Sequence, residues 1–242
     1  MKKGLLLVIA LVAVMALLLV GCTETSGGGA NTQQTGIWVS GEGKVTAVPD
    51  LATLNLGVEA QENTVQQAQT EAATTMTALV AALKSNGVAD NDIQTTTYSI
   101  DVVTKWNQDT NEQITIGYKV TNTVTAKIRD MSKVGTTIDA AAEAGGNLTR
   151  INGISFTVDD PTAYNTQARE KAMADAKAKA EQMAGLANLT LGKAFYISES
   201  GVYTPAPYSI KDYAAGSASA TTPISAGELE ITVTVQVGYS IE

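Results

Sequence analysis

Histidine is absent from the 242 residues, and cysteine occurs once. Without imidazole the chain lacks the commonest general base, the commonest metal ligand and the near-neutral charge switch. Histidine-based catalytic triads and ordinary zinc sites are excluded with it. A single cysteine leaves no intramolecular disulfide to stabilise the fold. Basic residues are also scarce, 16 against 24 acidic ones, for a formal net charge of −8. That sign argues against nucleic acid as a partner and against lying flat on anionic lipid. Any chemistry would rest on carboxylates, lysine, tyrosine or serine. The chain therefore reads as a non-enzyme with no cofactor and no metal.

What is present begins with a leader. Met1-Lys2-Lys3 supplies a positive start, and an uncharged apolar run follows from Gly4 to Val20. Residues 1–21 read as a signal peptide. The junction Leu19-Val20-Gly21-Cys22 resembles a bacterial lipobox. On that reading Cys22 carries a thioether-linked diacylglyceryl group, becomes the first mature residue and anchors the protein to a membrane of the cell envelope. A plain transmembrane anchor is the alternative, but the run is short for a span of roughly 20 residues. Residues 22–35, polar and centred on Gly27-Gly28-Gly29, read as a flexible tether. Residues 36–242 remain for the fold.

Alternation marks the strands. Ala52, Leu54, Leu56 and Val58 alternate with polar or small residues, as do Ile154, Phe156 and Val158, and Leu229 through Tyr239. Along 114–128, Ile116, Tyr118, Val120, Val124, Ala126 and Ile128 share a face. Helical spacing marks three other segments. Asn63 or Thr64 can cap a helix ending at Asn86-Gly87, with Val65, Ala68, Ala72, Met76, Leu79 and Leu83 as its buried stripe. Asp130 can cap a shorter helix that ends at Gly145-Gly146. Asp160-Pro161 opens a third, running to about Asn188, in which Ala168, Ala172, Ala176, Ala180 and Ala184 form a smooth ridge. Its charged residues are spaced as i,i+4 pairs: Lys171/Asp175, Asp175/Lys179 and Lys177/Glu181.

The order of elements repeats. The fold class is α+β: two β-α-β-β units, at about 48–128 and 149–242, with mostly antiparallel sheets backed by helices and joined by a short helix. The segment 200–227 interrupts the second unit with Pro205, Pro207 and Pro223 and with Tyr203, Tyr208 and Tyr213. Tyrosines favour a contact surface, because they bury much area at small entropic cost. A hairpin tip with no contact role is the other reading.

Several segments resemble one family. They are Ile37-Trp38-Val39-Ser40-Gly41-Glu42-Gly43, Val48-Pro49-Asp50-Leu51-Ala52, Gly145-Gly146-Asn147, Ile151-Asn152-Gly153-Ile154-Ser155-Phe156 and the alanine-rich helix. In this order and spacing they resemble the SIMPL-domain family, which includes bacterial oxidative-stress defence and periplasmic immunogenic proteins. The resemblance covers roughly 36–242. It implies an exported protein that forms homo-oligomers, with a tie to stress defence, and it supplies no catalytic residues.

Other motifs are weaker. Gly41-Glu42-Gly43 has no following helix to face a pyrophosphate, so a bulge or bend between strands explains it better than a nucleotide site. Asp90, Asp92, Asp159 and Asp160 lack calcium-loop spacing. The reading is a lipid-anchored envelope protein acting by assembly or binding, with Tyr203, Tyr208 and Tyr213 as the candidate surface. Its rivals are a glycan or peptide recognition module, expected to expose Trp38, Trp106 or Tyr118 in a concave site, and a carboxylate-dependent hydrolase with two converging acids.

Overall fold

A computed structural model describes residues 36–203 and 222–242. The signal peptide, the tether with Cys22, and Tyr208 and Tyr213 lie outside the described residues. In chain order the elements are β1 (Gly36–Ala47), β2 (Leu51–Glu62), α1 (Val65–Ser85), β3 (Ile93–Asn107), β4 (Glu112–Ile128), α2 (Val134–Gly145), β5 (Thr149–Thr157), α3 (Thr162–Leu186), β6 (Leu191–Tyr203) and β7 (Leu229–Ile241).

The first layer is a four-stranded sheet in the order β3-β4-β2-β5, antiparallel at each pairing. Ala52, Leu54, Leu56, Val58 and Ala60 all point to one face and are buried. That face packs on the stripe Ala68, Ala72, Met76, Leu79 and Leu83 of α1 and on Val134, Ile138 and Ala141 of α2. Burying each of the four leucines contributes about 2 kcal/mol. Both ends of α1 follow their local chemistry. The Thr64 hydroxyl accepts from the Gln67 amide at 3.3 Å. At the other end Gly87 takes φ +96°, and the amides of Gly87 and Val88 bond the carbonyls of Lys84 and Leu83.

The second layer is a three-stranded sheet, β1-β7-β6, covered by α3. The alanine ridge expected from the sequence is buried along its whole length, from Ala168 to Ala184. It rests on β7 and on β1, and β1 is strand throughout Gly36–Ala47, so Gly41 and Gly43 lie within a strand and not between strands as expected. A Cβ on Gly41 would lie 2.1 Å from the Ala172 carbonyl oxygen, and one on Gly43 would lie 1.9 Å from that of Ala168. The glycines let the helix backbone rest on the strand.

This approach also closes the free edge of β1. Lys179 Nζ donates to the Ser40 carbonyl (3.0 Å), the Glu42 amide donates to the Asp175 carboxylate (2.8 Å), and Lys171 Nζ donates to the Lys44 carbonyl (2.9 Å). Two strand residues rise about 6.7 Å and four helical residues about 6 Å, so helix and strand stay in step over the three bonds. Side chains of α3 thus satisfy backbone groups that a bare edge strand would present to another chain. The i,i+4 pairs Asp175/Lys179 and Lys177/Glu181 form, at 2.6 and 3.7 Å. The third expected pair, Lys171/Asp175, does not form: Lys171 Nζ bonds the Lys44 carbonyl on the strand instead.

The element order matches the sequence reading, but the hydrogen bonding exchanges one strand. β5 pairs with β2, placing Ile154 opposite Leu54 and Phe156 opposite Ala52, so the strand that opens the second unit completes the first sheet. β1, outside both units, completes the second. Val158, immediately after β5, already belongs to the second core. The helix opened by Asp160-Pro161 starts at Thr162, whose amide bonds the Asp160 carboxylate at 3.0 Å. β6 extends through Tyr203, so 200–203 is strand and not loop.

The chain re-enters description at Thr222, pinned to α2. Its amide and hydroxyl both donate to the Asp139 carboxylate, the amide at 2.9 Å. Gly135 makes room, since a Cβ there would lie 2.4 Å from the Thr222 carbonyl oxygen. The two donors, the hydroxyl most, hold the Asp139 carboxyl below the usual carboxylate range. Asp139→Ala is expected to raise amide exchange across 222–228 severalfold and leave that of β2 unchanged. In the parent chain the contact is at full strength above the unfolded value of ~3.9 and is lost as pH falls through the lower folded value. Protection factors for 222–228 are expected to stay level between about pH 5 and 8 and to drop below about pH 4. A segment equally protected in the alanine variant would contradict the pin.

Candidate interaction surface

The β3–β4 hairpin is longer than the helix that covers it. β3 is rich in β-branched residues, Ile93 through Val103, which suit a strand. Its register places Tyr98 opposite Asn122, Ile100 opposite Val120 and Val102 opposite Tyr118, all on the helix-side face. α1 reaches this strand at Tyr98, whose hydroxyl receives Gln69 Nε2 at 3.4 Å. The apolar alternation then continues through Ile100 and Val102 to Trp106, while α1 begins only at Val65, next to the β2 residue Glu62 that pairs with Tyr118. Val102 is 57% exposed and Trp106 55%, and Ile114 and Ile116 on β4 are also exposed. On the opposite face Ser99 bonds Asp101 and Val103 follows, and past the register shift Ile114 lies opposite Lys105 on that side.

Two features shape the hairpin. A register shift at Val103/Thr104 lies beside Gly117, which takes φ +154° and where a Cβ would lie 2.7 Å from the Glu62 carbonyl oxygen. At the turn, the Asn107 side chain accepts from the Asp109 amide and Asn111 takes φ +55°. β3 is also an outer strand, so one side of its backbone is unpaired within the sheet. A long apolar strand edge is a template for pairing with another chain.

The carboxylates give no comparable site. Asp92 and Asp159 converge, but on the Arg129 guanidinium between them: Asp92 accepts two bonds at 3.1 Å and Asp159 a third. These bonds, those from Asp92 first, raise the Arg129 pKa above its ordinary value. Asp90 pairs with Lys84, and Asp160 caps α3. Each of the four aspartates thus has a structural partner. Among the described residues no three potential metal ligands cluster.

The aromatic residues expected of a recognition site are separated. Trp38 is on β1 of the three-stranded sheet, where it packs on Phe195 and Tyr196; Trp106 is near the turn of the other sheet's hairpin, and Tyr118 is half-buried. The grooves lie elsewhere. One of about 490 Å³ is lined by Ala73, Met76, Val80 and Lys84 of α1 with Asn122, and another by polar residues from Glu62 to Thr75. Neither contains an aromatic ring. Of the tyrosines singled out in the sequence, Tyr203 ends β6, its backbone paired with Thr232. Tyr98, Ile100 and Val102 were not singled out in the sequence, and their exposure depends on where α1 starts.

Known proteins resemble this chain along most of its length. The SIMPL family model, described as a protein of unknown function (DUF541), matches residues 37–239. The chain is 35% identical to the 26 kDa periplasmic immunogenic protein of Brucella melitensis over 222 residues, 87% of this chain and 86% of the relative. The protein of the same description from Brucella abortus matches at the same identity and coverage. The uncharacterised protein YggE of Escherichia coli K12 is 28% identical over 172 residues, 71% of this chain and 68% of the relative.

Proposed function

The chain belongs to the SIMPL family, and on that premise we propose that it is a lipid-anchored protein of the cell envelope that acts by self-association and not by catalysis. The exported character rests on the Lys2-Lys3 leader and on the periplasmic description of the Brucella relatives. The anchor rests on Cys22 after Leu19-Val20-Gly21. The observation that carries the mode of action is the uncovered apolar face of the β3–β4 hairpin, on an outer strand. Tyr203, Tyr208 and Tyr213 form a second proposed contact segment. A part in stress defence, implied by the family resemblance, would run through assembly, because no cysteine follows Cys22 to supply a redox thiol.

The anchor is tested by intact mass. The purified protein is expected to begin at residue 22 and carry a diacylglyceryl group; an unmodified mass overturns the anchor. Cys22→Ser is expected to lose the acyl mass and the mature N-terminus together. Assembly is tested separately, by light scattering of the detergent-solubilised chain. A discrete multiple of the monomer mass supports it, and a monomer at the highest concentration overturns it.

A further inference from the structure

We propose that the end of the β1-β7-β6 layer at which the chain enters β1 rests on the bilayer surface, with Trp38, Phe195, Tyr196, Leu186 and Leu189 against neutral lipid. The proposal rests on the anchor at Cys22, because the tether decides which end faces the membrane. Trp38 is the third residue of β1. Sixteen residues separate Cys22 from Trp38, a reach of at most about 55 Å. That end of the domain is thus held at high effective concentration over the bilayer, and a weak contact suffices to orient it.

The same end gathers exposed apolar groups from three elements. α3 runs antiparallel to β1, with Lys179 on Ser40 and Lys171 on Lys44. One more step of that ladder brings Met183 level with Trp38 and leaves Leu186, 79% exposed, beyond it. Leu189 follows, folded back by its amide bond to the Ala184 carbonyl, and Thr190 pairs with Glu242 beside the start of β6. Phe195 meets Trp38 edge to face at 5.4 Å, and Tyr196 lies 5.1 Å from it. Gly238 on β7 lets these rings lie down, since a Cβ there would be 2.9 Å from Phe195 and 3.2 Å from Trp38.

The chemistry fits a headgroup interface. Trp and Tyr present an apolar body and a polar tip, the combination favoured where water meets hydrocarbon. Trp38 and Tyr196 are each about two-fifths exposed, held in place with one part of the ring accessible. The acidic chain has no basic surplus to draw it to anionic lipid, so the attraction is apolar and the lipid neutral.

Trp38 and Trp106 are the only tryptophans, which makes the test internal to the molecule. The mature chain is reconstituted on phosphatidylcholine vesicles whose acyl chains carry bromine, as Trp106→Phe and as Trp38→Phe. Trp38 is expected to lose most of its emission and Trp106 little. Leu186→Asp, at an exposed position that leaves folding intact, is expected to restore part of the Trp38 emission. Protein that floats with the vesicles while Trp38 stays bright overturns the proposal and leaves the anchor standing. Protein that fails to float overturns both. Quenching of Trp106 in place of Trp38 turns the hairpin to the membrane and overturns the proposal. A bright Trp38 whose emission shifts with protein density in the vesicle assigns the patch to a second copy and likewise overturns it.

Discussion

Gly43→Val is expected to cost about 3 kcal/mol or more, because the added atoms meet backbone and not a yielding side chain. The nearest atoms are the Ala168 carbonyl oxygen at 1.9 Å and the Ala172 amide nitrogen at 2.5 Å. Relief requires α3 to move off the strand. That movement breaks the bonds from Lys179, Asp175 and Lys171 and reopens the edge of β1. In a domain of this size the midpoint of thermal unfolding is expected to fall by roughly 6–12 °C. Ala168→Gly should not rescue the variant, since the obstructing atom is a carbonyl oxygen that glycine also carries. Ala176→Leu attacks the contact from the helix side and is expected to cost about 1–3 kcal/mol by overpacking. An unchanged midpoint in Gly43→Val would mean that α3 does not lie on β1.

The double change Ile100→Lys, Val102→Lys is expected to dissolve the assembly and leave the subunit folded. Both positions are exposed, so the effect on subunit stability should stay within about 0.5 kcal/mol each. At an interface the same lysines would bury charge without a partner, at a cost on the order of 3 kcal/mol each. One such cost already weakens association about a hundredfold. Light scattering at a concentration where the parent is assembled is expected to give the monomer mass, with the thermal midpoint of the subunit unchanged. A variant that assembles as the parent does would remove the hairpin as the contact.

The parts of this fold that depend on local pattern were legible in the sequence. Thr64 and Gly87 bound α1 where a hydroxyl acceptor and a left-handed residue are needed, and the alanines of α3 are buried as their spacing implied. Strand partnership was not legible. Ile154 and Phe156 alternate in the same way whether β5 joins β6 or β2, so the pattern alone does not choose between them. Gly41 and Gly43 carried a signal that could be read two ways: glycine in a strand marks either a bulge or a close backbone approach. The helix that approaches them lies more than a hundred residues away. The hairpin face was the hardest to see, because Ile100 and Val102 differ from buried strand residues only in the absence of a helix above them. The charges of α3 read as i,i+4 pairs along the helix, and their bonds to the β1 edge appear only once helix and strand are in place.

The central claim is that copies of this chain meet through the β3–β4 hairpin, and thiol labelling tests it most directly. No cysteine follows Cys22, so Val102→Cys introduces one reactive position in the folded part, and Val48→Cys, also exposed, gives a reference. Labelling is read peptide by peptide at low and high protein concentration. The expected result is that Val102→Cys labels several times more slowly in the concentrated sample, while Val48→Cys labels at the same rate in both. Equal labelling of Val102→Cys at the two concentrations, in a chain that light scattering shows to be assembled, would contradict the account.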